Sequence, residues 1–148
     1  MQPYIQDIWS AGGSVYQVGG GVRDKLWGIA TKDLDLLVTK IAQEKLIMLL
    51  KKHGRVNLVG KSFGVIKFKL PEVEREIDIA LPRVEKSTGS GHKDFEVNFD
   101  PDIPVEIDLG RRDFTINAMA LDLQSGKLID PYLGEQDIKN RCLKIVFN

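Results

Sequence analysis

Two periodicities share this chain, one of about two residues and one of about 3.6, and they take turns along its length. Helical spacing covers residues 3–11, and Ser14 to Val18 then alternates as a strand does. Gly19-Gly20-Gly21 reads as a turn, and Val22 to Trp27 as a helix that Gly28 can end. Leu34 to Val38 predicts a buried strand. From Ile41 to His53 a helix follows with Ala42, Leu46, Leu49 and Leu50 on one face, stopped by Gly54. Val65 to Leu70 and Glu76 to Leu81 flank a turn at Pro71 and predict an antiparallel pair. Between Pro82 and Pro104 the periodicity fails, and Ser87-Thr88-Gly89-Ser90-Gly91 with three prolines predicts a long mobile loop. A helix over 106–120 is expected next. Leu121 to Leu123 and Lys127 to Ile129 then form a hairpin across Ser125-Gly126, before a short helix near 134–140 and a last apolar strand, Cys142 to Phe147. The alternation gives an α+β fold, one mixed sheet of about five strands flanked by helices.

Composition adds bounds rather than detail. A chain of 148 residues, 43% hydrophobic and 28% charged, fits one globular domain with a core large enough to stand without disulfides. The single Cys142 agrees with that, and its apolar neighbours make it a small core residue rather than a nucleophile. The longest apolar run, Leu46 to Leu50, is far below the ~20 residues of a membrane span, so a soluble, cytoplasmic protein without membrane contact is expected. Twenty-one basic and 21 acidic residues leave no net charge. Any polyanion must therefore be held by a local arrangement.

Three constellations can supply one. In Val18-Gly19-Gly20-Gly21-Val22-Arg23-Asp24 the glycines let backbone amides approach an anion, the helix start adds free N–H groups, and Arg23 adds a charge. A plain turn requiring positive φ reads equally well from the glycines alone. Asp24 stands where a dinucleotide fingerprint needs its third glycine, and no Gly-Lys-Ser/Thr of a P-loop follows. Asp33 and Asp35, at i and i+2, project from one face of the predicted strand. Paired like charges there call for a divalent cation, magnesium or manganese, unless both are simply solvated. Asp78, between Ile77 and Ile79, joins them if its strand lies beside theirs, and three carboxylates can hold the two ions of a phosphoryl-transfer site.

The third constellation is Asp108 to Ala120. On the expected helix Phe114, Ala118 and Leu121 form an apolar stripe, while Asp113 and Asn117 are i, i+4 neighbours with Arg112 beside them. Two arginines near a helix start oppose the dipole, which a polyphosphate partner would explain. Elsewhere no role is assigned. His53 is expected to face solvent, His92 to be an inert loop residue, and Trp9 and Trp27 to pack.

In this order the motifs resemble the catalytic head of the bacterial-type tRNA nucleotidyltransferase and poly(A) polymerase family. VGGGVRDKLWG is similar to the family's VGGxVRDxLLG, and TKDLDLLV to its KDxDxxV. IDIALPR resembles the third-acid strand, DLGRRDFTINAMALD the RRDFTINAxAxD segment, and LIDPYLGEQDIKNRCLK the closing IDPxxGxxDLxxxxLR. The resemblance runs over nearly the whole chain.

It implies a polymerase-β-like nucleotidyltransferase fold and template-independent transfer of nucleotides from CTP and ATP to an RNA 3′ end, with pyrophosphate released. Asp33, Asp35 and Asp78 take the positions of the magnesium ligands of a two-metal site, with manganese as an alternative. Gly19, Gly20, Arg23, Arg83, Arg112, Asp113 and Asn117 take those of the nucleotide contacts. The family's helical, tRNA-binding domains would lie past Asn148, so the chain corresponds to a head alone, and its oligomeric state is not indicated. Poly(A) polymerases carry a second basic residue and a His where this chain has Ser62 and Lys67, and the segment from Pro82 to Pro104 resembles the flexible loop of enzymes that add the terminal A. Both features point to CCA addition to tRNA. The alternatives are polyadenylation and a nucleotide-binding head without turnover.

Overall fold

Val15, Leu36, Val38, Ile66, Phe68, Ile77 and Ile79 sit at alternate positions of four neighbouring strands and are buried together, which defines one face of the central sheet. The computed structural model describes residues 1–31, 33–59, 64–87, 89–91 and 95–147. Its elements run α1 (Pro3–Ser10), β1 (Ser14–Val18), α2 (Gly20–Trp27), β2 (Asp35–Thr39), α3 (Gln43–Lys51), β3 (Arg55–Val59), β4 (Val65–Lys69) and β5 (Ile77–Ala80). They continue as β6 (Arg83–Ser87), β7 (Phe95–Phe99), α4 (Val105–Leu109), a 3-10 turn (Thr115–Asn117), β8 (Ala120–Asp122), β9 (Leu128–Ile129) and α5 (Gly134–Lys139).

Seven strands form one sheet in the order β3-β4-β5-β2-β1-β8-β9, mixed because β2 and β5 alone among the described pairs run parallel. The α+β expectation holds with two more strands in the sheet than expected. On the first face Tyr4, Ile5 and Ile8 of α1 and Leu46 and Leu50 of α3 complete the core, and Tyr4 meets Phe68 edge-on at 5.0 Å. Each such fully buried Leu or Ile contributes about 1.5–3 kcal/mol. Burial pushes the Tyr4 phenol up to about 12. A second cluster, Val18, Leu37, Val105, Leu109, Ala118 and Ala120, packs on the opposite face toward the other end. Between the two, the second face is left to polar side chains.

Four expectations, the 82–104 loop, the 106–120 helix, the 142–147 strand and the buried Cys142, need correction. Residues 83–99 contain a two-stranded antiparallel sheet, β6 with β7, instead of a long loop. Phe95-Glu96-Val97-Asn98-Phe99 alternates strictly, but the intervening Ser/Gly-rich run hides the pairing from a local reading. The helix expected over 106–120 stops at Leu109. There Asp113 Oδ1 accepts the Phe114 N–H at 2.7 Å, competing with helical bonding, and Phe114 is extended and bridges Ile145. Cys142 to Phe147 forms that one bridge and no strand, and Cys142 is exposed. Arg55 to Val59, to which the sequence assigned no element, is a strand.

Smaller departures follow the same lines. His53 Nε2 lies 2.7 Å from Asp7 Oδ2, joining α3 to α1 instead of facing water alone. Trp9 packs at the core margin as expected, whereas Trp27 is half exposed. Ser62 and His92 lie outside the described residues. Among the described residues no helix is long and apolar enough to cross a membrane.

Candidate active site

The acidic positions are built by strand register. β2 and β5 pair in parallel with Asp35 opposite Asp78, and the Asp78 N–H bonds the Leu34 carbonyl at 3.2 Å. Because Leu36, Ile77 and Ile79 face the helices, Asp35 and Asp78 turn to the uncovered face. Asp33 precedes β2 rather than lying on it, so strand alternation does not orient it. Backbone packing does: a Cβ at Gly21 would stand 3.2 Å from the Asp33 carbonyl oxygen and 2.9 Å from Gln17 Nε2, so the glycine turn approaches Asp33 closely only without a side chain.

Asp33, Asp35 and Asp78 line one open cleft of about 690 Å³ together with Lys67, Glu74 and Glu76. Partial burial and the charges of Asp78 and Asp33 push the Asp35 carboxyl above the usual aspartate range, against the pull of Arg112 and Lys67. Lys67, on β4 directly opposite Asp78, donates to Asp78 Oδ1 at 2.6 Å. The oxygen donors of Asp33, Asp35 and Asp78 gathered in this cleft are the kind a hard divalent cation takes. Among the described residues, no three or more His, Cys, Asp or Glu side chains are arranged so as to hold a metal ion by themselves, and Asp78 has one oxygen turned to Lys67.

Asp35 also lines a second cleft, of about 460 Å³, with Gly19, Gly20, Arg23, Arg83, Glu85, Arg111, Arg112, Asp113 and Asn117. Every nucleotide-contact position expected from the sequence therefore lines this cleft, although Asp113 precedes the 3-10 turn and Asn117 ends it, neither on the expected α-helix. Gly19 has φ +73° and ψ −150°, a conformation side chains avoid, and a Cβ there would reach 3.4 Å from Asp35 Oδ2 and 3.6 Å from Arg112 Nη1. Arg23 is held by Asp24 Oδ1 at 2.9 Å and Asn117 Oδ1 at 3.0 Å.

The other three arginines converge on one carboxylate that the sequence reading quoted without a role. Asp108 is wholly buried; its Oδ1 accepts the Arg83 backbone N–H at 3.0 Å and the Arg111 Nε–H at 3.1 Å, and Arg112 Nη2 lies 3.6 Å from Oδ2. Burial lowers the guanidinium pKa of Arg83 and of Arg112, each worsened by Arg111. Among the described residues, the buried Nε–H groups of Arg83 and Arg112 have no hydrogen-bond partner. An acid three and four residues before an arginine pair was the available signal for Asp108. Arg111 and Glu85 also line the cleft and were not singled out.

Known proteins share this arrangement of chain. The Multifunctional CCA protein of Vibrio vulnificus is 47% identical over 132 residues, 89% of this chain and 30% of that protein. A solved structure of a CCA-adding enzyme, apo form II, superposes with a TM-score of 0.81 at 30% identity, covering 97% of this chain and 34% of that one. The Bacillus stearothermophilus CCA-adding enzyme in complex with CTP gives 0.76 at 27% identity, over 99% of this chain and 34% of that one. The chain thus spans about a third of the length of the relatives it matches. Residues 15–144, from β1 through the glycine turn, both clefts and α5, match the family described as the Poly A polymerase head domain. With its sheet order, acid row and arginine cleft all inside that match, the chain belongs to the poly A polymerase head-domain family.

Proposed function

We propose that this chain is the catalytic head of a cytoplasmic nucleotidyltransferase that adds CCA to tRNA 3′ ends from CTP and ATP, without a template. The observation that carries this reading is Asp35, common to a cleft of carboxylates and a cleft of arginines. A metal-bound triphosphate needs both at one point.

Asp33 and Asp35, with Asp78 as third carboxylate, would hold magnesium or manganese, whose charge supplies Lewis-acid neutralisation at the reacting phosphate. The backbone of Gly19 and Gly20 and the Arg23, Arg83 and Arg112 guanidiniums bind the triphosphate and align its α-phosphate with Asp35. Asp113 and Asn117 border the same cleft, and Asn117 fixes Arg23. The RNA 3′ hydroxyl oxygen then forms its bond to the α-phosphorus, giving its proton up to solvent, as the bond to the bridging oxygen of pyrophosphate breaks. Asp108 keeps the arginines in place throughout and touches no substrate.

CCA addition is favoured over polyadenylation by the similarity to CCA proteins and by Lys67. The test is incorporation of labelled CTP and ATP, alone and together, into a tRNA ending at its discriminator base, with magnesium. Two C and then one A is the expected product. Long A tracts without CTP use would make the enzyme a poly(A) polymerase. Because the chain is about a third as long as its relatives, saturable nucleotide binding without turnover would make it a nucleotide-binding head.

A further inference from the structure

Lys67, Asp78 and Asp35 stand in one row across three adjacent strands, with Lys67 opposite Asp78 on β4–β5 and Asp78 opposite Asp35 on β5–β2. We infer that Lys67 is a built-in counter-cation for Asp78, dividing the acidic row so that the resting head binds one divalent ion, on Asp33 and Asp35. The inference rests on the metal reading above and adds a positioning residue to it.

The geometry favours a fixed role over a passing surface contact. Lys67 Nζ approaches Asp78 Oδ1 to 2.6 Å, and both side chains are only about a third exposed, at 32% and 38%. Direct cross-strand partners of opposite charge need little side-chain ordering to meet. Ile66 and Phe68, on either side of Lys67, are fully buried under the helices, so β4 cannot slip to move Lys67 away without exposing them. Glu76, Glu74 and Asp33 line the same cleft, and among the described residues Lys67 is the only basic side chain that lines it. Were Lys67 neutral, Asp78 would lose the cation that its carboxylate now meets, and Asp35 would face it with less compensating charge. A second divalent ion would then be drawn to Asp78. With Lys67 present, that ion has to arrive with the negative charge of the nucleotide's phosphates to compete.

The test is a manganese titration of the 148-residue chain without nucleotide, counting bound ions by electron paramagnetic resonance. Lys67→Met and Lys67→Arg are compared with the parent, and circular dichroism and melting temperature verify folding. The parent and Lys67→Arg should bind one ion. Lys67→Met should bind two, the second about ten- to a hundredfold more tightly than the parent does. Equal ion counts and affinities for parent and Lys67→Met would overturn the inference while leaving the metal reading intact. Two ions on Lys67→Arg would overturn it as well, and would serve even if Lys67→Met failed to fold. Absence of binding to all three chains would overturn the metal reading and the inference with it.

Discussion

Asp108 Oδ1 accepts the Arg111 Nε–H at 3.1 Å from a position with no solvent exposure, while Arg111 itself reaches the rim of the arginine cleft. The carboxylate also takes the Arg83 N–H and balances Arg112, so one buried charge orients the cationic wall. Asp108→Asn keeps the shape and removes the charge, leaving partly buried arginines uncompensated. We expect a loss of about 3 kcal/mol in stability. Because Asp108 is buried and does not line the cleft, KM for nucleotide should rise more than kcat falls, a split that steady-state kinetics on the folded fraction would show. An unchanged KM would rule out the positioning role.

Gly19→Ala tests the turn. At φ +73° and ψ −150° an alanine is strained by about 1–3 kcal/mol, and relieving that strain would shift the turn that sits in contact with Asp35 Oδ2 and Arg112 Nη1. Small displacements at a reacting centre lower rates steeply, so kcat/KM should fall by about a hundredfold with only modest loss of fold. Gly28→Ala, at another positive φ but with open space around it, should cost stability and leave the kinetics of the folded protein alone. If the two variants lose activity in proportion to stability alone, the close approach at Gly19 has no catalytic meaning.

Much of the frame could be read locally. Ser14 to Val18 reads as a strand, the glycines follow, Gly28 ends α2 in the left-handed region, and the Pro71 turn divides β4 from β5. What was illegible depends on contacts distant in sequence. That Asp35 lies opposite Asp78 follows from a parallel pairing whose crossover spans α3, β3 and β4, and no local pattern specifies such a register. The stretch after Leu109 misled because Arg111 to Ala120 has helical spacing, yet Asp108 and Asp113 both turn their oxygens to nearby N–H groups. The role of Asp108 was hidden for a related reason: burial cannot be seen in a sequence, and a charged residue is ordinarily exposed. The motif resemblance brought Arg83 into the pocket where the residue pattern offered nothing.

Asp35→Asn should make the metal-free protein more stable. Burial and the Asp78 and Asp33 charges hold the folded Asp35 pKa above its unfolded value, so the ionised form disfavours the fold. The sign follows directly: below the ordinary 3.8 the carboxyl is protonated in both states and the cost is absent, and it grows as pH rises through the folded value. At pH 7 the variant should melt a few degrees higher than the parent, with the gap closing toward pH 4. Magnesium should raise the parent's melting temperature and leave the variant's nearly unchanged, because ligand stabilisation needs a site to bind. Thermal scans at pH 4 and 7, with and without magnesium, measure both effects.

Asp137 should behave with the opposite sign. It is almost wholly buried, accepts the Thr115 hydroxyl at 2.7 Å, and pairs with Lys144 Nζ at 2.8 Å, joining α5 to the 3-10 turn and to the segment that bridges Phe114. The Lys144 and Thr115 hydrogen bonds hold its carboxyl below the usual aspartate range. Its stabilisation is therefore fully present above the unfolded value of 3.8 and lost as pH falls through the lower folded one. Asp137→Asn should melt below the parent at pH 7, with the two curves converging only under acid conditions, beneath the range where Asp35→Asn loses its advantage. Lys144→Met should reproduce part of the loss, and the double variant should fall short of the sum because the two residues share one contact. Additive losses would show that Asp137 stabilises the 3-10 turn through Thr115 alone, and that the terminal segment docks by its backbone bonds, Thr115 N–H to the Lys144 carbonyl and Val146 N–H to the Asp113 carbonyl.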